Sequence, residues 1–296
     1  MARRRPPNTH GLAVVDKPAG VTSHDVVGML RRKFGERQVG HAGTLDPDAT
    51  GVLLVGVGRC TRLLRFLTDL GKTYAGDVVF GVTTDSLDST GVVTGTFDMP
   101  GLTPGLVRSM VADHLVGAIE QIPPMVSAVR VDGRRLHELA REGVEVDRAP
   151  RPVTVHRFEI EPTADPMVYR IEVQCSKGTY IRTLADDLGR LCGGGAHLRG
   201  LRRVAVGSFT VADAVDPDDV ELLSLPEAMR DYPSVRVSED LAAMVAHGRV
   251  LPAFDERSDE EGPWAVLGPD GALLAMYERA RADTVKPAVV VAPQSM

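Results

Sequence analysis

Two carboxylates, Asp46 and Asp48, lie in a twelve-residue stretch with three glycines, a proline and a histidine: residues 40–51, Gly-His-Ala-Gly-Thr-Leu-Asp-Pro-Asp-Ala-Thr-Gly. Such a mixture buries little apolar surface and suits neither a helix nor a strand. It reads as a shaped loop, with small residues that let another molecule reach the backbone and a proline that restricts the aspartate before it. Asp-x-Asp-x-Thr is also the nucleophile motif of aspartate-dependent phosphatases, where the first Asp attacks phosphorus and the second handles a proton. That chemistry needs an apolar strand directly before the first Asp. His41-Ala42-Gly43-Thr44-Leu45 is no such strand, so the phosphatase reading fails. An aspartate before proline ordinarily makes an Asx-turn, and Asp46 needs further support before it counts as chemical. Asp48 reads as solvent-facing or loop-capping.

The elements around the loop follow from periodicity. Residues 11–16 are a short apolar run ending in Lys17-Pro18-Ala19-Gly20, a strand and a tight turn. Ser23 is the expected N-cap of a helix carrying Val26, Val27, Leu30 and Phe34 at helical spacing and ending near Gly35. Beyond the loop come a buried strand at 52–57, a short helix at 61–67 and a strand at 75–80. A polar turn-rich stretch spans 83–90, and a helix opens at Thr103 or Pro104. Gln121-Ile122-Pro123-Pro124 interrupts the chain. An excursion follows, extended at 127–131, turning at Asp132-Gly133 and helical and basic over 134–141. Strands at 153–160 and 168–175, an amphipathic helix at 179–191 and a strand-like run at 198–209 complete this part. Residues 213–232 are acidic and Pro-punctuated, with one short helix expected near Val220. A separate unit starts near Ser234, with a helix at 238–246, an acidic loop at 255–262 and a hairpin around Pro269-Asp270-Gly271. The class is α+β, a mixed or antiparallel central sheet with flanking helices and a small β-rich C-terminal domain. The expected division is 1–232 and 233–296, with an insertion at about 121–151.

A chain of 296 residues that is 43% hydrophobic can build a real core. No run of about 18 apolar residues appears, so no membrane helix is expected. Residues 11–15 are too short for a signal-peptide core, so the cytoplasm is expected. Cys60, Cys175 and Cys192 share no metal-like spacing and read as free thiols. The net charge of −6 hides a division: +6 over residues 1–72, −5 over 73–122, +3 over 123–209 and −10 over 210–296. Positive charge gathers around the loop and the excursion, where a polyanion could bind, and the tail discourages one.

Five blocks resemble one family. Residues 40–51 with Val52-Leu53-Leu54-Val55 are similar to the catalytic motif of the bacterial tRNA pseudouridine-55 synthases, the TruB family. Val15-Asp16-Lys17-Pro18-Ala19-Gly20-Val21-Thr22-Ser23 resembles its first motif, and Lys72-Thr73-Tyr74 its tyrosine motif. Pro123-Pro124-Met125-Val126-Ser127-Ala128 and Gly133-Arg134-Arg135-Leu136-His137-Glu138-Leu139-Ala140-Arg141 resemble its RNA-gripping insertion. Ser176-Lys177-Gly178-Thr179-Tyr180-Ile181-Arg182-Thr183 and residues 195–203 resemble the remaining motifs. The blocks run in order over residues 11–204.

The resemblance implies the pseudouridine synthase fold, a PUA-like C-terminal domain and a metal-free, cofactor-free isomerisation of a uridine in the T-arm of tRNA. The base is flipped out, detached at N1 and rejoined through C5. Asp46 matches the essential aspartate. Three routes are open to it: attack on the base, attack on the ribose C1′, or removal of a ribose proton. Each needs the carboxylate ionised, hence a cation beside it. Arg182 matches the paired arginine. Tyr74 matches a tyrosine that stacks on the uracil and assists proton transfer. His41 would occupy the space of the vacated base, and Leu201 would lie against it. Lys177 is placed between a phosphate contact and a turn residue. Arg134, Arg135 and Arg141 would make the insertion an RNA clamp that orders on binding; His137 reads as surface or packing. Lys17 and Gly20 read as mainly structural. Stand-alone action without guide RNA or an obligate protein partner, as a monomer, is expected, because guide-dependent relatives carry long basic extensions.

Overall fold

The structure is a computed structural model and describes residues 9–127, 129–131, 133–254, 262–281 and 283–291. All but the last residue of the expected acidic loop at 255–262 lies outside the described residues. The chain divides into two compact units, residues 1–47, 52–68 and 207–296 in the first and residues 48–51 and 69–206 in the second.

The first unit opens with strand β1 (Gly11–Lys17), helix α1 (Ser23–Lys33), strand β2 (Val39–His41) and strand β3 (Thr50–Val57). The first two residues of β3 belong to the second unit. A 3-10 turn at Gly58–Leu63 then leads into helix α2 (Leu64–Asp69). The N-cap of α1 is Thr22 rather than Ser23. Thr22 is extended, its hydroxyl accepts Asp25 N–H, and the Asp25 carboxylate reaches back to Thr22 N–H. This reciprocal box satisfies two donors that a helix start otherwise leaves open. Val26, Val27 and Leu30 pack on Val15, Leu53, Val55 and Val57.

The second unit contains β4 (Lys72–Phe80), a hairpin of β5 (Val82–Thr84) and β6 (Val93–Thr96), helix α3 (Pro104–His114) and β7 (Gly117–Gln121). A small hairpin of β8 (Arg130–Val131) and β9 (Arg134–Arg135) follows, then helix α4 (Leu136–Arg141). The helix expected over 134–141 therefore starts two residues late. Gly133, at φ +82°, turns the chain so that Arg134 and Arg135 pair back with Val131 and Arg130. Strands β10 (Arg151–Pro162) and β11 (Val168–Cys175), helix α5 (Ile181–Leu191) and β12 (Ala196–Val206) complete the unit. Its strands run in the order β12-β4-β11-β10-β7, antiparallel throughout. Ile181, Leu184, Ala185 and Leu188 of α5 bury against Val78, Ile171 and Val173.

After β12 the chain returns to the first unit with β13 (Phe209–Thr210). No helix forms near Val220. The Asp216 side chain accepts Asp218 N–H in a turn, and the flanking backbone pairs with β1 at Val215–Val15 and Leu223–Leu12. Pairing with a strand already in place overrides the weak local helical preference. Helix α6 (Leu225–Ala228) follows, with its own capping box. The C-terminal part holds β14 (Ser234–Arg236), α7 (Glu239–Ala246), β15 (Leu251–Pro252), β16 (Trp264–Leu267), β17 (Leu273–Arg281) and β18 (Thr284–Val290). Five of these strands form a sheet in the order β14-β16-β17-β18-β15, over a core of Trp264, Val266, Tyr277 and Val285. The fold is α+β, as the periodicity predicts.

Candidate active site

Asp46 lies in the loop between β2 and β3 and is half-buried. The loop is anchored from inside by Ala42 and Leu45, at 0% and 3% exposure. Its backbone is then tied to the segment that joins β1 to α1. The Lys17 ammonium is fully buried and donates to the carbonyls of Pro18, Val21 and Pro47 at 2.8, 2.7 and 2.8 Å. A buried ammonium is tolerable only when its donors are met. Gly20, at φ +81°, adds a backbone N–H to the Pro47 carbonyl at 3.0 Å. Ser23, released from capping, accepts Leu45 N–H at 2.9 Å and donates to the Leu45 carbonyl at 3.2 Å. The residues on both sides of Asp46 are therefore pinned. His41 ends β2 opposite Val55 and is half-buried.

The end of the same loop belongs to the second unit. There Asp48 is exposed. Thr50 and Gly51 run parallel to Arg202 and Arg203 of β12, which pair in turn with Ala75 and Tyr74 of β4. Gly51, Arg203 and Tyr74 thus form one row, and Tyr74 sits two strands, about 10 Å, from the loop end. Gly51 has φ +101°, and a Cβ there would lie 2.2 Å from the Arg203 carbonyl oxygen. This glycine serves a close approach of protein backbone. Leu201 sits in a bulge of β12, where two residues, Gly200 and Leu201, fall between the partners of Asp77 and Ala75. A bulge re-aims a side chain, and Leu201 and Tyr74 both pack, half-buried, on the core of this unit.

Arg182 is the second residue of α5 and is 4% exposed. Its Nη1 donates to the Ser86 carbonyl at 2.8 Å and its Nη2 to the Val126 carbonyl at 2.8 Å. The Asp88 carboxylate lies 3.6 Å from Nη1. Asp88 is itself held: its carboxylate accepts from Ser86 Oγ at 2.7 Å and from Thr90 Oγ1 at 2.6 Å. The guanidinium is thereby aimed by fixed partners, which the sequence reading missed. Two of them are backbone carbonyls, which no side-chain pattern reveals; Asp88 lies in the polar, turn-rich stretch at 83–90. Lys72, two residues before Tyr74, is 5% exposed, and burial, followed by the nearby Arg203, pulls its ammonium down to about 8.

Lys177 is exposed in a turn and pairs with Asp69 at 2.6 Å. Arg134 is exposed and pairs with Glu142; the side chains of Arg135, His137 and Arg141 lie outside the described residues. All three thiols are free, and burial pushes Cys60 up to about 12 and Cys175 up to about 11. Among the described residues, no cluster of His, Cys, Asp or Glu suits a metal, and no helix is long and apolar enough to cross a membrane.

Residues 31–181 match the TruB family pseudouridylate synthase N-terminal domain. Residues 182–233 match the tRNA pseudouridylate synthase B C-terminal domain, and residues 232–292 the tRNA pseudouridine synthase II C-terminal domain. The chain belongs to the TruB family. It is a pseudouridine synthase, an isomerase. A tRNA pseudouridine synthase B of Syntrophotalea carbinolica is 44% identical over 289 residues, covering 92% of this chain and 94% of that one. Its counterpart in Symbiobacterium thermophilum is 48% identical over 245 residues, covering 80% and 81%. In a solved Cbf5-Nop10-Gar1 complex, one chain superposes with a TM-score of 0.72, covering 96% of this chain and 85% of its own length. At 22% identity that likeness shows the shared pseudouridine synthase fold alone.

Proposed function

We propose that this TruB-family enzyme isomerises the uridine at position 55 in the T-loop of tRNA, acting as a monomer in the cytoplasm without guide RNA, cofactor, metal or obligate protein partner. The observation that carries the reading is the 44% identity, over nearly the whole chain, to a tRNA pseudouridine synthase B. The target uridine leaves the stack, at a cost of a few kcal/mol. The C1′–N1 bond breaks, the uracil turns, and C1′–C5 forms; the C5 proton is lost to solvent and N1 gains one, so atoms balance.

Asp46 is the essential carboxylate, and Arg182 is the cation that keeps it ionised. The support for Asp46 is a backbone pinned at Leu45 and Pro47; the support for Arg182 is a guanidinium caged by Ser86, Val126 and Asp88. Tyr74 stacks on the flipped uracil and Leu201 lies against it. Both sit on strands beside the loop end. His41 fills the place of the vacated base. Arg134, Arg135 and Arg141 grip RNA from the insertion, and Lys177 exchanges Asp69 for a phosphate. Residues 1–232 are the catalytic domain and residues 233–296 a PUA-like domain, a division supported by the separate core of the five-stranded C-terminal sheet.

The test is tritium release from tRNA labelled at uridine C5, with purified protein in EDTA. Turnover with mapping to position 55 is expected. Turnover only with added guide RNA, partner protein or Mg²⁺ overturns the stand-alone reading. Tight tRNA binding with no release favours a catalytically idle RNA-binding protein on the same scaffold.

A further inference from the structure

The insertion of residues 122–150 leaves the sheet after Gln121 and rejoins it at Arg151, and these two residues are cross-strand partners. Gln121 therefore closes the stem of the insertion. Its side chain is a primary amide, yet it is 2% exposed. Both ends of the amide are used on one residue. Oε1 accepts Tyr180 N–H at 3.0 Å, and Nε2 donates to the Tyr180 carbonyl at 3.3 Å. Tyr180 is the N-cap of α5 and makes no side-chain cap bond. Its carbonyl also accepts the first helical bond, from Leu184 N–H at 3.2 Å. The Gln121 amide thus fixes the residue from which α5 starts, two positions before Arg182.

A second link runs the same way. Arg182 Nη2 donates to the carbonyl of Val126, inside the insertion. The insertion holds α5 through Gln121 at its stem and holds the guanidinium directly through Val126. We infer that Gln121 is a positioning residue that couples the insertion to Arg182, so that RNA gripped by the insertion sets the guanidinium for the reaction. The inference rests on the reading of Arg182 given above. An amide is the side chain the place requires. Leucine would leave Tyr180 N–H without its partner, and glutamate would set an oxygen lone pair against the Tyr180 carbonyl.

The experiment compares Gln121→Leu and Gln121→Glu with wild type by single-turnover tritium release at saturating enzyme, by tRNA Kd and by thermal midpoint. For Gln121→Leu the saturated rate is expected to fall roughly 10-fold to 100-fold, the scale of a catalytic group displaced by about 1 Å, while Kd changes less than about threefold. Gln121→Glu, which keeps shape and the acceptor for Tyr180 N–H but turns an oxygen on the Tyr180 carbonyl, is expected to fall as well and decides the matter if the leucine variant does not fold. Combining Gln121→Leu with Arg182→Lys should slow the reaction little beyond Arg182→Lys alone, since residues acting through one another are non-additive. Wild-type saturated rates in both variants, or loss confined to Kd, or strict additivity with Arg182→Lys would overturn the inference. A wild type without turnover would bring down the proposed function and this inference together; a working wild type beside unaffected Gln121 variants would bring down this one alone.

Discussion

Residues 42–49, an irregular loop, and residues 122–150, which carry the β8–β9 hairpin and α4, are both proposed to meet RNA, but they are held in opposite ways. In the first, Ala42, Leu45 and Ala49 are buried, and a buried lysine and a buried serine hydroxyl fasten the backbone on either side of Asp46. In the second, Arg134, Glu138, Glu142, Val144 and Glu145 are exposed, while Pro123, Pro124 and Ser127 near its start are buried. Arg134 pairs with Glu142, and Arg148 donates to the Pro123 carbonyl at 3.0 Å. An exposed pair such as Arg134–Glu142 holds little, because water screens it. Among the described side chains of α4, Leu136 and Leu139 are buried. A group that reacts must be in place before the substrate arrives, because misplacement costs rate. A surface that grips a polyanion gains by adjusting, and charge acts over several ångströms.

If that contrast holds, substitutions in the two regions separate cleanly. Asp46→Asn should lower single-turnover tritium release by roughly 10⁴-fold or more, the scale for removing a nucleophile; normal release would remove Asp46 from the chemistry. Arg182→Met should cost about 10²-fold to 10³-fold in rate with tRNA affinity nearly intact. Equal losses in rate and affinity would make Arg182 a phosphate contact and weaken the contrast. Ser23→Ala leaves the buried Leu45 N–H without its hydroxyl partner. Stability should drop by about 1–3 kcal/mol, and the folded enzyme should also turn over more slowly. A drop in thermal midpoint with an unchanged rate would mean the tie supports the fold but not Asp46. Replacing Arg134, Arg135 and Arg141 together with glutamine should lower the saturated rate far less than Arg182→Met does. It should weaken tRNA binding and flatten the slope of log K against log salt by up to about 2. An unchanged slope would show that these arginines only face solvent.

Much of the fold was legible because its signals are local. The alternation in β10 and β11, the apolar stripe of α5 and the glycine turns mark elements whose periodicity reports which face is buried. The failures came where a distant partner outweighed a local preference. Ser23 is a good cap by residue type, but Leu45 takes its hydroxyl and Thr22, backed by Asp25, caps instead. The segment near Val220 pairs with β1 rather than coiling. The glycines of the loop suggest room for another molecule, yet Gly51 is required by the Arg203 backbone.

By itself the sequence determined that most of residues 40–51 could not form a regular element, that Asp46, Tyr74 and Arg182 stand in stretches resembling family motifs, and that positive charge gathers in the first two-thirds of the chain. Only the tertiary structure decided that a buried Lys17 ties the Pro47 carbonyl, that Ser86 and Val126 cage Arg182, and that Gln121 grips Tyr180. The reason is physical. Each of these contacts includes a backbone group, which nearly every residue possesses. Residue types can announce a cation or an amide, but not which of the chain's many equivalent carbonyls folding will bring to it.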